Sequence, residues 1–246
     1  LVITFLRGKG GVGATSLAVN TAVALTSSRT YRVTLLDLNL EFGNAAMLMD
    51  LRPAATLADL AEMPEIDDKA VELATAHHAS GVDLVSGADL PQRAELVTIA
   101  TVQKTLDRLR ASSDYVIVDA PPTFSQIVLA ALDASEVACV VTAPHLASLR
   151  ATADILDVLV KLQFPRDRVL LLLDRTSQRG LENDEIGAFF KRRPDLVVPY
   201  APAFDDAADA GQPLVTTVGT DLAAAAVIRE LAAKVANLAR SRTAPA

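Results

Sequence analysis

The sequence has a single cysteine, Cys139, and no tryptophan. A lone thiol excludes an intrachain disulfide and any four-thiolate metal site within one chain. It likewise excludes an iron–sulfur cluster shared between subunits, which needs two thiolates from each. Cys139 sits in the apolar run Val137–Val141, so a buried, inert thiol is expected. An excess of positive charge is also missing. Lys and Arg total 23 against 30 Asp and Glu, a formal net charge of −7, which does not favour broad attraction to nucleic-acid backbones. No apolar run approaches the ~18 residues that span a bilayer. The chain opens Leu-Val-Ile-Thr-Phe-Leu with neither an initiating Met nor a signal-peptide pattern. A cytoplasmic protein with native sequence upstream is therefore expected.

What the chain does have is length and apolar content: 246 residues, 51% hydrophobic, enough for one domain with a large core. Short β-rich runs alternate with longer helical patterns. The runs at 1–6, 32–36, 82–86, 115–119, 137–142, 169–173 and 196–198 read as strands. Helices are predicted over 15–26, 97–110, 125–134, 148–162, 184–191 and 221–239. Several strands are apolar throughout, as expected where both sheet faces are covered. The predicted fold is α/β, of the P-loop type: a doubly wound, mainly parallel sheet with helices on both faces. There is no internal repeat or low-complexity linker, and a single domain over 1–246 is expected. About the last dozen residues, ending Ser-Arg-Thr-Ala-Pro-Ala, are expected to fray.

Gly8-Lys9-Gly10-Gly11-Val12-Gly13-Ala14-Thr15-Ser16 follows the first strand and opens the first helix. That context makes a Gly-rich string a phosphate-loop candidate. Glycines accept positive φ and turn backbone N–H groups toward an anion, and the following helix adds its positive end. ATP or ADP is the expected ligand, with Lys9, Gly10, Gly11, Val12, Gly13, Ala14, Thr15 and Ser16 around its phosphates. The usual pattern has Lys after Gly13, where this chain has Ala14. Loss of a charged hydrogen bond is worth about 1.5–3 kcal/mol, or roughly ten- to a hundredfold in affinity. The backbone cradle survives that loss.

Two strands end in carboxylates near this loop. Asp37 follows the second strand, and Asp119 closes the run Tyr115-Val-Ile-Val-Asp119 ahead of Ala120-Pro121-Pro122. An apolar strand ending in Asp has the form of a Walker B element. Thr15, Asp37 and Asp119 are accordingly the candidate Mg²⁺ residues, partly through water. For Asp37, capping the next segment is the other role open to it.

The loop resembles the deviant Walker A group, which includes the MinD and ParA families and reads Lys-Gly-Gly-x-Gly-Lys-Thr. The resemblance implies that Lys9 reaches across a nucleotide-sandwiched homodimer to the partner's ATP. It also implies a second switch Asp that positions the attacking water. The matching residue is Asn39, which can hydrogen-bond water but cannot act as a carboxylate base. Ala14 and Asn39 both point to slow or absent hydrolysis.

Within that group the chain resembles the pilus-assembly proteins CpaE and TadZ. The likeness runs through Leu36-Asp37-Leu38-Asn39-Leu40-Glu41-Phe42-Gly43-Asn44, Ala94-Glu95-Leu96-Val97, Val198-Pro199-Tyr200-Ala201-Pro202 and Gly211-Gln212-Pro213-Leu214. Ala14 fits that branch. The resemblance implies a localisation factor for the Flp/tight-adherence pilus machinery, with a receiver-like domain upstream. It implies pilus or secretion proteins as partners and placement at a pole or beside the inner membrane through them. It also places adenine near Asp174, Arg175, Pro199 and Tyr200, with Asp174 where relatives often have Asn. The alternative is an active MinD/ParA-type positioning ATPase on membrane or DNA.

Other features read as structural. His77, His78 and His145 are scattered. Lys191-Arg192-Arg193 falls at a predicted helix end, where cations suit the dipole. Val227, Leu231, Val235 and Leu238 form one stripe on the last helix, and core packing is expected for it.

Overall fold

The computed structural model describes residues 1–27, 31–217 and 222–241. Its strands are β1 (Val2–Arg7), β2 (Val33–Asp37), β3 (Thr75–His77), β4 (Val82–Val85), β5 (Tyr115–Asp119), β6 (Val137–Thr142), β7 (Val169–Asp174) and β8 (Leu196–Val198). Among the described residues, the helices are α1 (Ala14–Thr26), α2 (Ala45–Leu48), α3 (Leu57–Glu62), α4 (Asp68–Leu73), α5 (Ile99–Ser112), α6 (Gln126–Asp133), α7 (Leu146–Lys161), α8 (Asn183–Phe190), α9 (Ala203–Asp209) and α10 (Leu222–Arg240).

The strands form one sheet in the order β3-β4-β2-β5-β1-β6-β7-β8. All neighbours are parallel except β3, which runs antiparallel to β4. Parallel strands need crossovers, and here the crossing helices cover both faces. Alternation along β1 shows the two layers. Ile3 and Phe5 pack with Leu17 of α1 and with Ile228 and Leu231 of α10. Val2 faces the other way, toward Val102 and Leu106 of α5, and Leu6 meets Val128 of α6 and Ile155 of α7. Each such buried side chain contributes about 1.5–3 kcal/mol. The central strand is thereby clamped on both faces, which gives the loop that follows it a fixed base.

The apolar stripe of α10 lies in this core: Leu231 and Val235 are fully buried, and Val227 and Leu238 pack against the same cluster. The basic cluster resolves into local ties. Lys191 ends α8 in the left-handed region at φ 53, Arg192 pairs with Asp195, and Arg193 lies 3.3 Å from Asp184.

Several elements differ from the sequence-based expectation. The short helices α2, α3, α4 and α9 and the edge strand β3 were not predicted. Helix α5 starts at Ile99 rather than Val97, because Pro91–Leu96 forms a 3₁₀ turn and Thr98 caps the helix, accepting from the Thr101 N–H at 3.2 Å. The predicted start of the last helix at Asp221 and residues 242–246 lie outside the described residues; the earlier part of the stretch expected to fray is instead helical, because α10 runs to Arg240 with Val235, Ala236 and Ala239 buried in the core.

Candidate nucleotide site

Strand order reverses about β1: β2 lies beyond β5 on one side, and β6 lies directly on the other. Open α/β sheets bind ligands at such a switch point, outside the carboxyl ends of their strands. The Gly-rich loop leaves β1 there. Gly11 and Gly13 have φ 76 and 83, which only glycine adopts without strain. Gly13 is also the N-cap of α1 and supplies no side chain to close the helix end. The first bond of the helix runs from the Leu17 N–H to the Gly13 carbonyl at 2.9 Å. The N–H groups of Ala14, Thr15 and Ser16 precede it, so they lack a helical acceptor and can face an anion.

Two clefts flank the loop. The first, of about 450 Å³, is lined by Gly10 to Ser16 together with Arg7, Asn39, Phe42 and Pro122. The second, of about 510 Å³, shares Gly11, Gly13 and Ser16 and adds His145, Asp174, Arg175, Tyr200, Phe204 and Asp205. One side suits phosphates, and the other is large enough and aromatic enough for a base. Pro199 does not line the second cleft. Lys9 lines neither; it is exposed and meets no partner among the described residues. Ala14 is 2% exposed, and its methyl belongs to the core.

The residue that sequence reasoning missed is Arg7, the last of β1. Its side chain is 6% exposed and that of Asp119 is wholly buried. Arg7 Nη1 donates to Asp119 Oδ1 at 2.5 Å and to Thr15 Oγ1 at 3.0 Å. The Thr15 hydroxyl in turn donates to Asp119 Oδ2 at 2.7 Å. Guanidinium, hydroxyl and carboxylate close a ring. Burial pushes Asp119 up, and the Arg7 charge and the two hydrogen bonds oppose that push.

Asp37 sits opposite Asp119 in the β2–β5 register, but its oxygens serve the backbone. Oδ1 accepts from the Asn39 N–H at 2.9 Å, and Oδ2 from the Ala45 N–H at 3.3 Å, at the start of α2. Burial, and then the Asp119 charge, pushes its pKa up to about 7. Of the two roles expected for Asp37, this arrangement displays the capping one: it shapes the switch turn, where a Cβ on Gly43 would lie 2.5 Å from its Oδ2. Asn39 reaches the first cleft while its amide donates to the Phe42 carbonyl at 3.0 Å.

The expected trio does not fit Mg²⁺ as arranged. That ion demands near-octahedral oxygens at about 2.0–2.1 Å. Here the Thr15 hydroxyl accepts from Arg7, both Asp119 oxygens are engaged, and Asp37 is turned to backbone. A cation placed beside the guanidinium would meet repulsion of roughly 4 kcal/mol per unit charge at about 4 Å and an effective dielectric of about 20.

In the second cleft, Asp174 is 7% exposed, and no donor among the described residues meets its carboxyl group. Burial, and then the Asp205 charge, pushes its pKa up to about 7. It abuts the loop so closely that a Cβ on Gly13 would lie 1.8 Å from Asp174 Oδ2. Arg175 lines the cleft, but its guanidinium is drawn away to the Leu181 carbonyl and Asn183 Oδ1, at 3.2 and 2.7 Å.

A family model described as an AAA domain, AAA_31, matches residues 1–169. The chain belongs to that family. It is 23% identical over 229 residues to the sporulation initiation inhibitor protein Soj of Bacillus subtilis, covering 87% of this chain and 90% of Soj. Its fold matches a ParA family ATPase of Chlorobium tepidum with a TM-score of 0.85 at 23% identity, over 94% of this chain and 97% of that one. It also matches the septum site-determining protein MinD of Pyrococcus horikoshii, solved with Mg-ADP, with a TM-score of 0.82 at 22% identity over 97% and 96%.

Proposed function

We propose that this AAA domain binds ATP or ADP on the Gly10–Ser16 loop and acts as a dimeric positioning factor with little or no hydrolysis. The observation that carries the reading is the loop itself. It places two positive-φ glycines and three helix-start N–H groups between one cleft suited to phosphates and another suited to a base. Asp174 would accept from an exocyclic amino group, and Phe204 and Tyr200 would offer ring faces to the base. Lys9 is exposed and meets no partner among the described residues, which supports a reach to a second copy's phosphates. The missing lysine at position 14 and the uncharged Asn39 support slow turnover.

Within this family the resemblance to CpaE and TadZ supports a scaffold for Flp/tight-adherence pilus assembly, recruited to a pole or the inner membrane by pilus or secretion proteins. The similarity to Soj and MinD supports the second reading, an active positioning ATPase on membrane or DNA. Steady-state turnover with measured nucleotide affinity separates them. Binding with negligible turnover is expected; turnover on the order of 1 s⁻¹ or more, in the ordinary enzyme range, would overturn the scaffold reading.

A further inference from the structure

We infer that Arg7 takes the place of the divalent cation, so that this chain binds nucleotide phosphates without a metal. The inference rests on the nucleotide reading above and adds which positive charge serves it. A phosphate loop needs cationic charge at two points: an ammonium reaching the phosphates, and a metal between them and the Walker B carboxylate. Here Ala14 removes the first, and Thr15 and Asp119, which would serve the second, are instead tied to the Arg7 guanidinium.

Arg7 answers both losses from one position. It enters from the end of β1, beneath the loop, and its Nη1 holds the two side chains that would otherwise face the metal. Arg stays charged at any pH a protein tolerates and carries five donors in a planar fork. Only Nη1 is used. Nε and Nη2 meet no acceptor among the described residues, although the side chain is 6% exposed and lines the first cleft. A buried fork with donors to spare, facing a cleft edged by helix-start N–H groups, is matched to phosphate oxygens. A purely structural ion pair would call only for the Asp119 contact. It would not call for the second contact with Thr15 of the loop or for a residue that lines the cleft.

The test is ATP affinity by calorimetry in millimolar Mg²⁺ and again in EDTA, for the unmodified chain, Arg7→Ala and Arg7→Lys. The unmodified chain should change less than about threefold between the two conditions. Arg7→Ala should lose about ten- to a hundredfold in EDTA, the worth of a charged hydrogen bond. Arg7→Lys, which keeps the charge, should retain binding that EDTA does not reduce. Should Arg7→Ala not fold, the unmodified chain and Arg7→Lys still decide. A tenfold or greater loss in EDTA by the unmodified chain would overturn this inference alone, as would unchanged binding by Arg7→Ala in EDTA. No binding by the unmodified chain in either condition would overturn the nucleotide reading as well.

Discussion

The two sides of the phosphate loop each hold a buried carboxyl group and treat it in opposite ways. Asp119, on the phosphate side, is bound by a guanidinium and a hydroxyl within 2.7 Å. Asp174, on the other side, is nearly as enclosed but faces the loop, the cleft and another carboxylate, Asp205. At the first, the Arg7 charge and two hydrogen bonds oppose the upward push of burial. At the second nothing opposes it, and the pKa is pushed up to about 7. The difference teaches that burial alone does not set a carboxyl's chemistry here; the partner supplied by the neighbouring strand does.

Removing that partner should have the largest effect. Arg7→Ala leaves Asp119 buried without its cation, and should cost about 3–5 kcal/mol in denaturant unfolding. Adding Asp119→Asn should recover most of the loss; if it does not, charge balance is not what Arg7 provides. On the other side a substitution should act in the opposite direction. Asp174 has its folded pKa raised to about 7 from 3.8. Its protonated form suits the fold, so its stabilising contribution is whole below about pH 4 and lost as pH rises through about 7. Asp174→Asn should therefore stabilise the chain by roughly 2–4 kcal/mol at about pH 8, with the gain fading toward about pH 4. A flat difference across that window in thermal melts would contradict the assignment.

Gly13→Ala tests the wall between the two sides. A left-handed φ costs a non-glycine residue on the order of 1–3 kcal/mol, and the new methyl would also strike Asp174. Shortening Asp174 to Ala in the same chain should relieve the collision but not the backbone strain. Lys9→Ala should leave stability within about 0.5 kcal/mol, because an exposed side chain with no partner contributes little. It should nonetheless weaken ATP-linked dimerisation in sedimentation. An unchanged dimer would remove Lys9 from the partner's site.

The strands were legible because those in the body of the sheet are covered on both faces and read as continuous apolar runs, as in Val137–Thr142. The three-residue β3 is not: Thr75-Ala76-His77 sits at an edge, paired on one side, and carries no alternation. Helices of four to seven residues such as α2 and α9 are too short to show a period, and Phe204 of the base cleft went unread with α9. The loop glycines and Asp119 were visible from spacing. Arg7 was not, because its role follows from three elements meeting at a sheet edge rather than from any motif. One signal was available: a strand of five apolar or hydroxyl residues that ends in a cation one residue before a loop lacking its lysine. Which of its two expected roles Asp37 displays was not legible, for the opposite reason. Its position matches a metal residue, and only the backbone turn of 39–45 shows where its oxygens point.

Amide hydrogen exchange, followed residue by residue with and without saturating ATP, tests the main-chain cradle most directly. The N–H groups of Gly10 to Ser16 should be protected on adding ATP and should stay protected when Mg²⁺ is chelated. Unaltered exchange across that stretch, with the protein otherwise intact, would contradict the account.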